Sequence, residues 1–204
     1  MSALPDSFYT LEEYLALERA SDRSFEFRDG QVVCMSGGTI QHATIARNIL
    51  HHLGNRLAGK LCRVFGSDLA IHVPAGLPYR YPDGSVVCGE VRYKTIDVRH
   101  ALENPVLLLE VLSKSSATYD RGAKFAEYKS IPTFAEYLLV DQYRARVACR
   151  IRLDDGTWFE QTYDGLDGVV SLHTLGIDLP LREVYEDVTF EGEEPAPMEG
   201  PQIA

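Results

Sequence analysis

The chain has 204 residues, enough for one domain with a sizeable core, and its 45% hydrophobic and 25% charged content is that of an ordinary globular protein. No apolar run reaches the ~18 residues of a membrane-spanning helix, and residues 1–6 lack the basic flank and apolar segment of a signal peptide, so a cytoplasmic protein without membrane contact is expected. A net charge of −10 argues against indiscriminate nucleic-acid binding, but the charge is uneven: residues 183–199 hold seven acids and no Lys or Arg, whereas residues 83–124 are nearly neutral.

In chain order, Thr10 with Glu13 three positions on forms a capping-box pattern that opens a helix. Residues 24–27 and 31–35, joined by Asp29-Gly30, read as a β-hairpin ended by Ser36-Gly37-Gly38. Ile45, Ile49, Leu53 and Leu57 recur at four-residue spacing and predict a helix over 41–59. Strands are expected at 62–65, 68–73, 84–88 and 106–113, then a helix over 118–130 bounded by Ile131-Pro132. Three more strands are expected at 136–140, 145–152 and 158–163. Together these give a single α/β domain over 1–189 with a mixed central sheet flanked by helices. Residues 190–204, acidic and rich in Pro and Gly, read as a disordered tail. Cys34, Cys62, Cys88 and Cys149 show no Cys-x-x-Cys spacing, so reduced buried thiols are expected rather than a zinc site or a disulfide.

The most informative residue is Glu110, inside Pro105-Val-Leu-Leu-Leu-Glu-Val-Leu112. Such a run reads as a strand buried on both faces, where an ionised carboxylate costs several kcal/mol unless a proton, a cation or a metal compensates. Alternation places Leu108, Glu110 and Leu112 on one face and Leu107, Leu109 and Val111 on the other. Asp83 enters a second apolar stretch, and Asp120 and Lys124 share one face of the following helix at i, i+4. Two carboxylates and a lysine at strand ends suit Mg²⁺ or Mn²⁺, which take oxygen ligands, water and substrate phosphates. The reaction this set serves best is phosphodiester hydrolysis.

These residues resemble a known family. Tyr81-Pro82-Asp83, Asn104-Pro105 through Glu110 to Ser113, Tyr119-Asp120-Arg121-Gly122-x-Lys124 with Tyr128, and Glu136-Tyr137-Leu-Leu-Val-Asp141 are similar to the Uma-type restriction endonucleases of the PD-(D/E)XK nuclease superfamily. Tyr9 to Tyr14, Phe25-Glu26, Asp29-Gly30, Met35-Ser36 and His42 extend the likeness. It implies a restriction-endonuclease-like fold, a Mg²⁺- or Mn²⁺-dependent nuclease acting on DNA, and Asp83 and Glu110 as metal ligands. Glu26 is the candidate for an additional acid. Position 112 is Leu where the superfamily motif has Lys, so Lys124 from the following helix is expected to supply the catalytic lysine, with Lys114 as the alternative. Gly84 stands where an apolar residue is expected. A homodimer fits a two-fold symmetric substrate.

Blander roles are available to each group. Glu110 could pair with a buried Arg or Lys, Asp83 could be turn chemistry after Pro82, and Asp120 and Lys124 a solvated ion pair. Glu26 could face solvent, and His42 could cap a helix or bind phosphate. Two other functions use the same residues: a non-catalytic binding module on the same fold, or a two-carboxylate glycosidase without metal.

Overall fold

A computed structural model describes residues 2–3, 8–21, 23–35, 38–75 and 78–190. The expected tail after Phe190 and the Ser36-Gly37 end of the hairpin lie outside the described residues.

Helix α1 (Leu11–Arg19) starts at Thr10, and both hydrogen bonds of the capping box form with Glu13. It buries Tyr14 and Glu18 against a hairpin of β2 (Phe25–Arg28) and β3 (Gln31–Cys34), to which β1 (Ser2–Ala3) adds a third strand. Asp29 and Gly30, both at positive φ, make the turn. Helix α2 (Ile40–Leu57) is capped by the Thr39 side chain. Its Ile45, Ile49, Leu53 and Leu57 are all buried in one cluster, as the spacing predicts.

Six strands form the central sheet: β4 (Cys62–Gly66), β7 (Gly84–Cys88), β10 (Leu107–Leu112), β11 (Glu136–Asp141), β12 (Arg146–Arg152) and β13 (Trp158–Asp164). Their order is β13-β12-β11-β10-β7-β4. Only β10 and β11 run parallel, and every other neighbouring pair is antiparallel. A second sheet, β6-β5-β9-β8, uses β5 (Ala70–His72), β6 (Tyr79–Arg80), β8 (Tyr93–Ile96) and β9 (Arg99–Leu102). The chain closes with the β14 (Val169–Leu172) and β15 (Ile177–Pro180) hairpin and α5 (Leu181–Val184), which packs on α2. This is the mixed sheet flanked by helices that the sequence predicts. The short strands β6, β8, β9, β14 and β15 are additions to that expectation.

Strand β10 is buried along its whole length. Leu107, Leu109 and Val111 pack toward α2, and Leu108 and Leu112 toward Tyr128, Phe134 and Tyr137 on the other face, the alternation read from the sequence. The crossover from β10 to β11 is not one regular helix. It runs as α3 (Ala117–Tyr119), a π-helical turn (Asp120–Lys124) and α4 (Phe125–Tyr128).

Two sequence features find their reason here. A Cβ on Gly84 would lie 2.7 Å from Leu50 Cδ2 and 2.9 Å from Leu109 Cδ2, so the space an apolar side chain would need is already filled by α2 and β10. Cys62 and Cys88 face each other in the β4–β7 register and form a disulfide with Cα atoms 4.0 Å apart, while Cys34 and Cys149 are buried thiols. This corrects the expectation of four reduced cysteines. The pairing arises from strand register across 26 residues, which spacing rules for local cysteine motifs do not detect.

Two measurements check these readings. Gly84→Val is expected to lower stability by ~1–3 kcal/mol through overpacking, seen as a lower urea midpoint. Replacing Cys62 and Cys88 together by Ser is expected to lower it by about 3 kcal/mol, the loop-closure entropy of such a crosslink; an unchanged midpoint would show that the bond contributes nothing.

Candidate active site

The register of β7 against β10, with Leu109 opposite Gly84, continues to place Asp83 beside Glu110. The Val111 N–H donates to Asp83 Oδ2 at 2.7 Å, so the aspartate is clamped to the neighbouring strand rather than turned into bulk water. His42, in the first turn of α2, puts Nε2 3.3 Å from the same oxygen. Asp83, Glu110, Asp120 and Lys124 all line one cavity of about 310 Å³.

The π-helical turn directs both Asp120 and Lys124 inward, where each is buried; such turns recur at functional sites. Side chains hold the turn and the α4 helix that follows it. Tyr137 Oη donates to the Asp120 carbonyl at 3.1 Å, and Arg150 Nη1 to the Arg121 carbonyl at 2.8 Å. Buried Arg80 forks onto both oxygens of Glu127 at 2.7 and 2.8 Å.

Lys124 is 1% exposed. Its Nζ lies 2.7 Å from Glu110 Oε1, 3.4 Å from Glu26 Oε1 and 3.8 Å from Asp120 Oδ1, and it donates to the Tyr81 carbonyl at 3.1 Å. Tyr128 Oη also donates to Glu110 Oε1, at 3.1 Å. Neither Glu110 Oε2 nor Asp83 Oδ1 has a hydrogen-bond partner among the described residues.

Glu26 is fully buried and does not line the cavity. Its Oε2 receives Arg28 Nη2 at 2.6 Å and Nε at 3.0 Å, and its Oε1 receives the Tyr81 N–H at 2.9 Å. It therefore stands beneath the cavity as a support for Lys124 and Arg28, not as an exposed ligand. Lys114 lines the cavity mouth, its Nζ 5.2 Å above the Tyr143 ring.

Charge states follow from this crowding. Burial pushes the Glu110 carboxyl well above its ordinary range, and Asp120 and Asp83 add to the rise, against the opposing pull of Lys124. Burial likewise raises Asp120. At Glu26 burial is outweighed by Lys124 and Arg28, and the net shift is downward. At Lys124 burial is outweighed by Glu110, Glu26 and Asp120, so the ammonium is held firmly charged. Burial pulls the His42 imidazole down, but its hydrogen bond to Asp83 carries the net shift upward. The site carries more carboxylates than cations.

A hard cation fits that imbalance. Two carboxylates from adjacent strands, each with one uncommitted oxygen, are the donor set that Mg²⁺ or Mn²⁺ takes together with water and substrate phosphate. Among the described residues no three His, Cys, Asp or Glu side chains come together in metal-binding geometry, so a protein cage of the zinc type is not formed. A different buried acid shows the contrast. Glu136, also buried, accepts the His173 and Thr174 N–H groups at 2.7 and 3.1 Å, and both its oxygens are satisfied by backbone.

Removing the central cation tests its role in the fold. Lys124→Met leaves Glu110, Glu26 and Asp120 without their shared counter-ion and is expected to cost ~3–5 kcal/mol. In the wild type, the depressed Glu26 contributes stability that is present above about pH 4.5 and is lost as pH falls through its folded pKa. Glu110 and Asp120, already raised in the wild type, give the opposite dependence, and in the variant that dependence grows, because protonation relieves acids that have lost Lys124. Urea titrations of both proteins at neutral pH and about pH 5 should show the gap narrowing on acidification; a widening gap would contradict this account.

The family described as "Uma2: Putative restriction endonuclease" matches this chain over residues 11–182. Two proteins of Synechocystis sp. (strain ATCC 27184 / PCC 6803 / Kazusa) are similar in sequence. The uncharacterised protein slr1290 is 32% identical over 179 residues, covering 88% of this chain and 92% of its own length. The uncharacterised protein sll1609 is 32% identical over 149 residues, covering 73% and 84%. Among solved structures, a crystal structure titled as "a putative nuclease belonging to DUF820" from Anabaena variabilis ATCC 29413 superposes with a TM-score of 0.68, covering 86% of this chain and 96% of that one. At 15% identity this is a likeness of fold.

Proposed function

This chain belongs to the Uma2 family of restriction-endonuclease-like proteins, and from that premise we propose that it is a Mg²⁺- or Mn²⁺-dependent endonuclease that hydrolyses phosphodiester bonds in DNA. The observation that carries the proposal is the pair of Asp83 and Glu110, brought together by adjacent strands, each offering one uncommitted oxygen to a common cavity. These two residues would hold the ion. When bound, it polarises the scissile phosphate and lowers the pKa of a water nucleophile.

The chain's own groups have distinct tasks in this reading. Lys124 and Tyr128 grip Glu110 Oε1, which aims Oε2 into the cavity. The Val111 N–H does the same for Asp83 by engaging Oδ2. Lys124 is the lysine of the site, and it meets a water at the acid pair by releasing the Tyr81 carbonyl or Glu26, its longer contacts. Glu26 serves to position Lys124 and Arg28. No helix among the described residues is long and apolar enough to cross a membrane. The proposal includes a cytoplasmic location and a homodimer, which suits a two-fold symmetric substrate; the Cys62–Cys88 bond is the feature that stands against a reducing compartment.

One observation favours a rival, a binding module on the same fold without turnover: the protons of Lys124 are already engaged by three protein oxygens. Turnover separates the two. The purified protein is expected to nick or cut DNA with Mn²⁺ or Mg²⁺ and to stop in EDTA. Asp83→Asn and Glu110→Gln are each expected to lower the rate at least ~100-fold, about 2.7 kcal/mol of barrier, with unchanged circular dichroism. Cleavage that survives EDTA, or equal residual cleavage in both variants and the wild type, would sink the proposal.

A further inference from the structure

The acid cavity continues past Asp83 into a larger cleft of about 1010 Å³, and Met35, Gly38, His42 and Asp83 line both. One wall of this cleft is a stripe of α2 that includes Ala43, Ala46, Arg47 and His51. The two alanines keep the helix surface low, so the cleft has depth beside it. From His42 to His51 the helix advances about 13 Å at ~1.5 Å per residue, a run of three to four nucleotides at ~3.4 Å per nucleotide of a strand.

The cleft's charge differs from that of the protein as a whole. Arg23 and Arg47 are exposed on its rim. Arg23 has no ion-pair partner among the described residues. Arg47 meets Asp187 only at 3.9 Å, with the two side chains 65% and 81% exposed, and it also donates to Asn48 Oδ1. Among the described residues, Asp68 is the one carboxylate lining the cleft besides Asp83. On the other side of the acid pair stand Lys114 and the 40%-exposed Tyr143, a cation and an aromatic ring of the kind on which nucleic-acid strands rest. Basic groups thus flank the acids in both directions, in a chain whose net charge is −10.

We propose that the α2 cleft is the track of the substrate strand, with Arg23 and Arg47 contacting the phosphodiester backbone on one side of the scissile bond and Lys114 with Tyr143 holding the other. The inference rests on the nuclease reading for the place of the scissile bond. It goes further in naming the groups that hold the strand on each side of that bond.

Binding tests the track whether or not the chain turns over. The full chain is titrated against a fluorescently labelled DNA oligonucleotide, with Ca²⁺ replacing Mn²⁺ so that the strand is held and not cut, across a range of salt. The double variant R23E/R47E is expected to bind at least about tenfold more weakly, and the slope of log K against log salt should flatten by roughly 0.7–0.9 per arginine. The control R182E, at an exposed residue lining neither cleft, should bind as the wild type does. Unchanged affinity and slope in R23E/R47E, or an equal loss in R182E, would overturn the track and leave the nuclease reading standing. A wild type that binds no oligonucleotide under any of these conditions would overturn both.

Discussion

The contact between the Lys124 ammonium and the Glu110 carboxylate, 2.7 Å apart and almost wholly out of water, is the constraint around which the centre of this molecule is arranged. A buried ion pair is weak support for stability, because desolvating both ions offsets most of their attraction. Packing alone would be better served by two apolar side chains. What the pair does is fix the direction of a carboxylate that lines the same cavity as Asp83. The surrounding groups serve the same end. The Tyr81 carbonyl and Glu26 complete the shell of the ammonium, and Arg28 keeps Glu26 charged from below. Glu136 shows how the chain treats an acid that has only structural duties: backbone N–H groups meet both oxygens.

Much of this was legible in the residues. The four-residue spacing of Ile45, Ile49, Leu53 and Leu57 located α2, and the unbroken apolar run around Glu110 marked a strand covered on both faces. Burial of Leu107 through Leu112 and the division of their side chains between two clusters agree with that reading. Asp83 and Lys124 were singled out by position relative to Glu110, and the fold brings all three to one cavity.

What was not legible depends on contacts distant in sequence. A π-helical turn at Asp120–Lys124 has no compositional signature, because its widened backbone is held by Tyr137 and Arg150. The clasp of Arg28 on Glu26 is set by tertiary burial. That burial keeps Glu26 off the cavity lining that Asp83 and Glu110 share. Gly84 departs from the expected apolar residue because its neighbours Leu50 and Leu109 are distant in the chain. The Cys62–Cys88 bond likewise needs the β4–β7 register before it can be seen.

The parallel pairing of β10 with β11 carries one more consequence. Parallel neighbours cannot be joined by a hairpin, so the chain must lay a crossover over the sheet before the second strand can dock. Here that crossover is the segment bearing Lys124. Seating the strand that hides Glu110 and delivering its counter-ion are thus the same event, and at no stage must the assembling sheet enclose a carboxylate that lacks a cation to meet it.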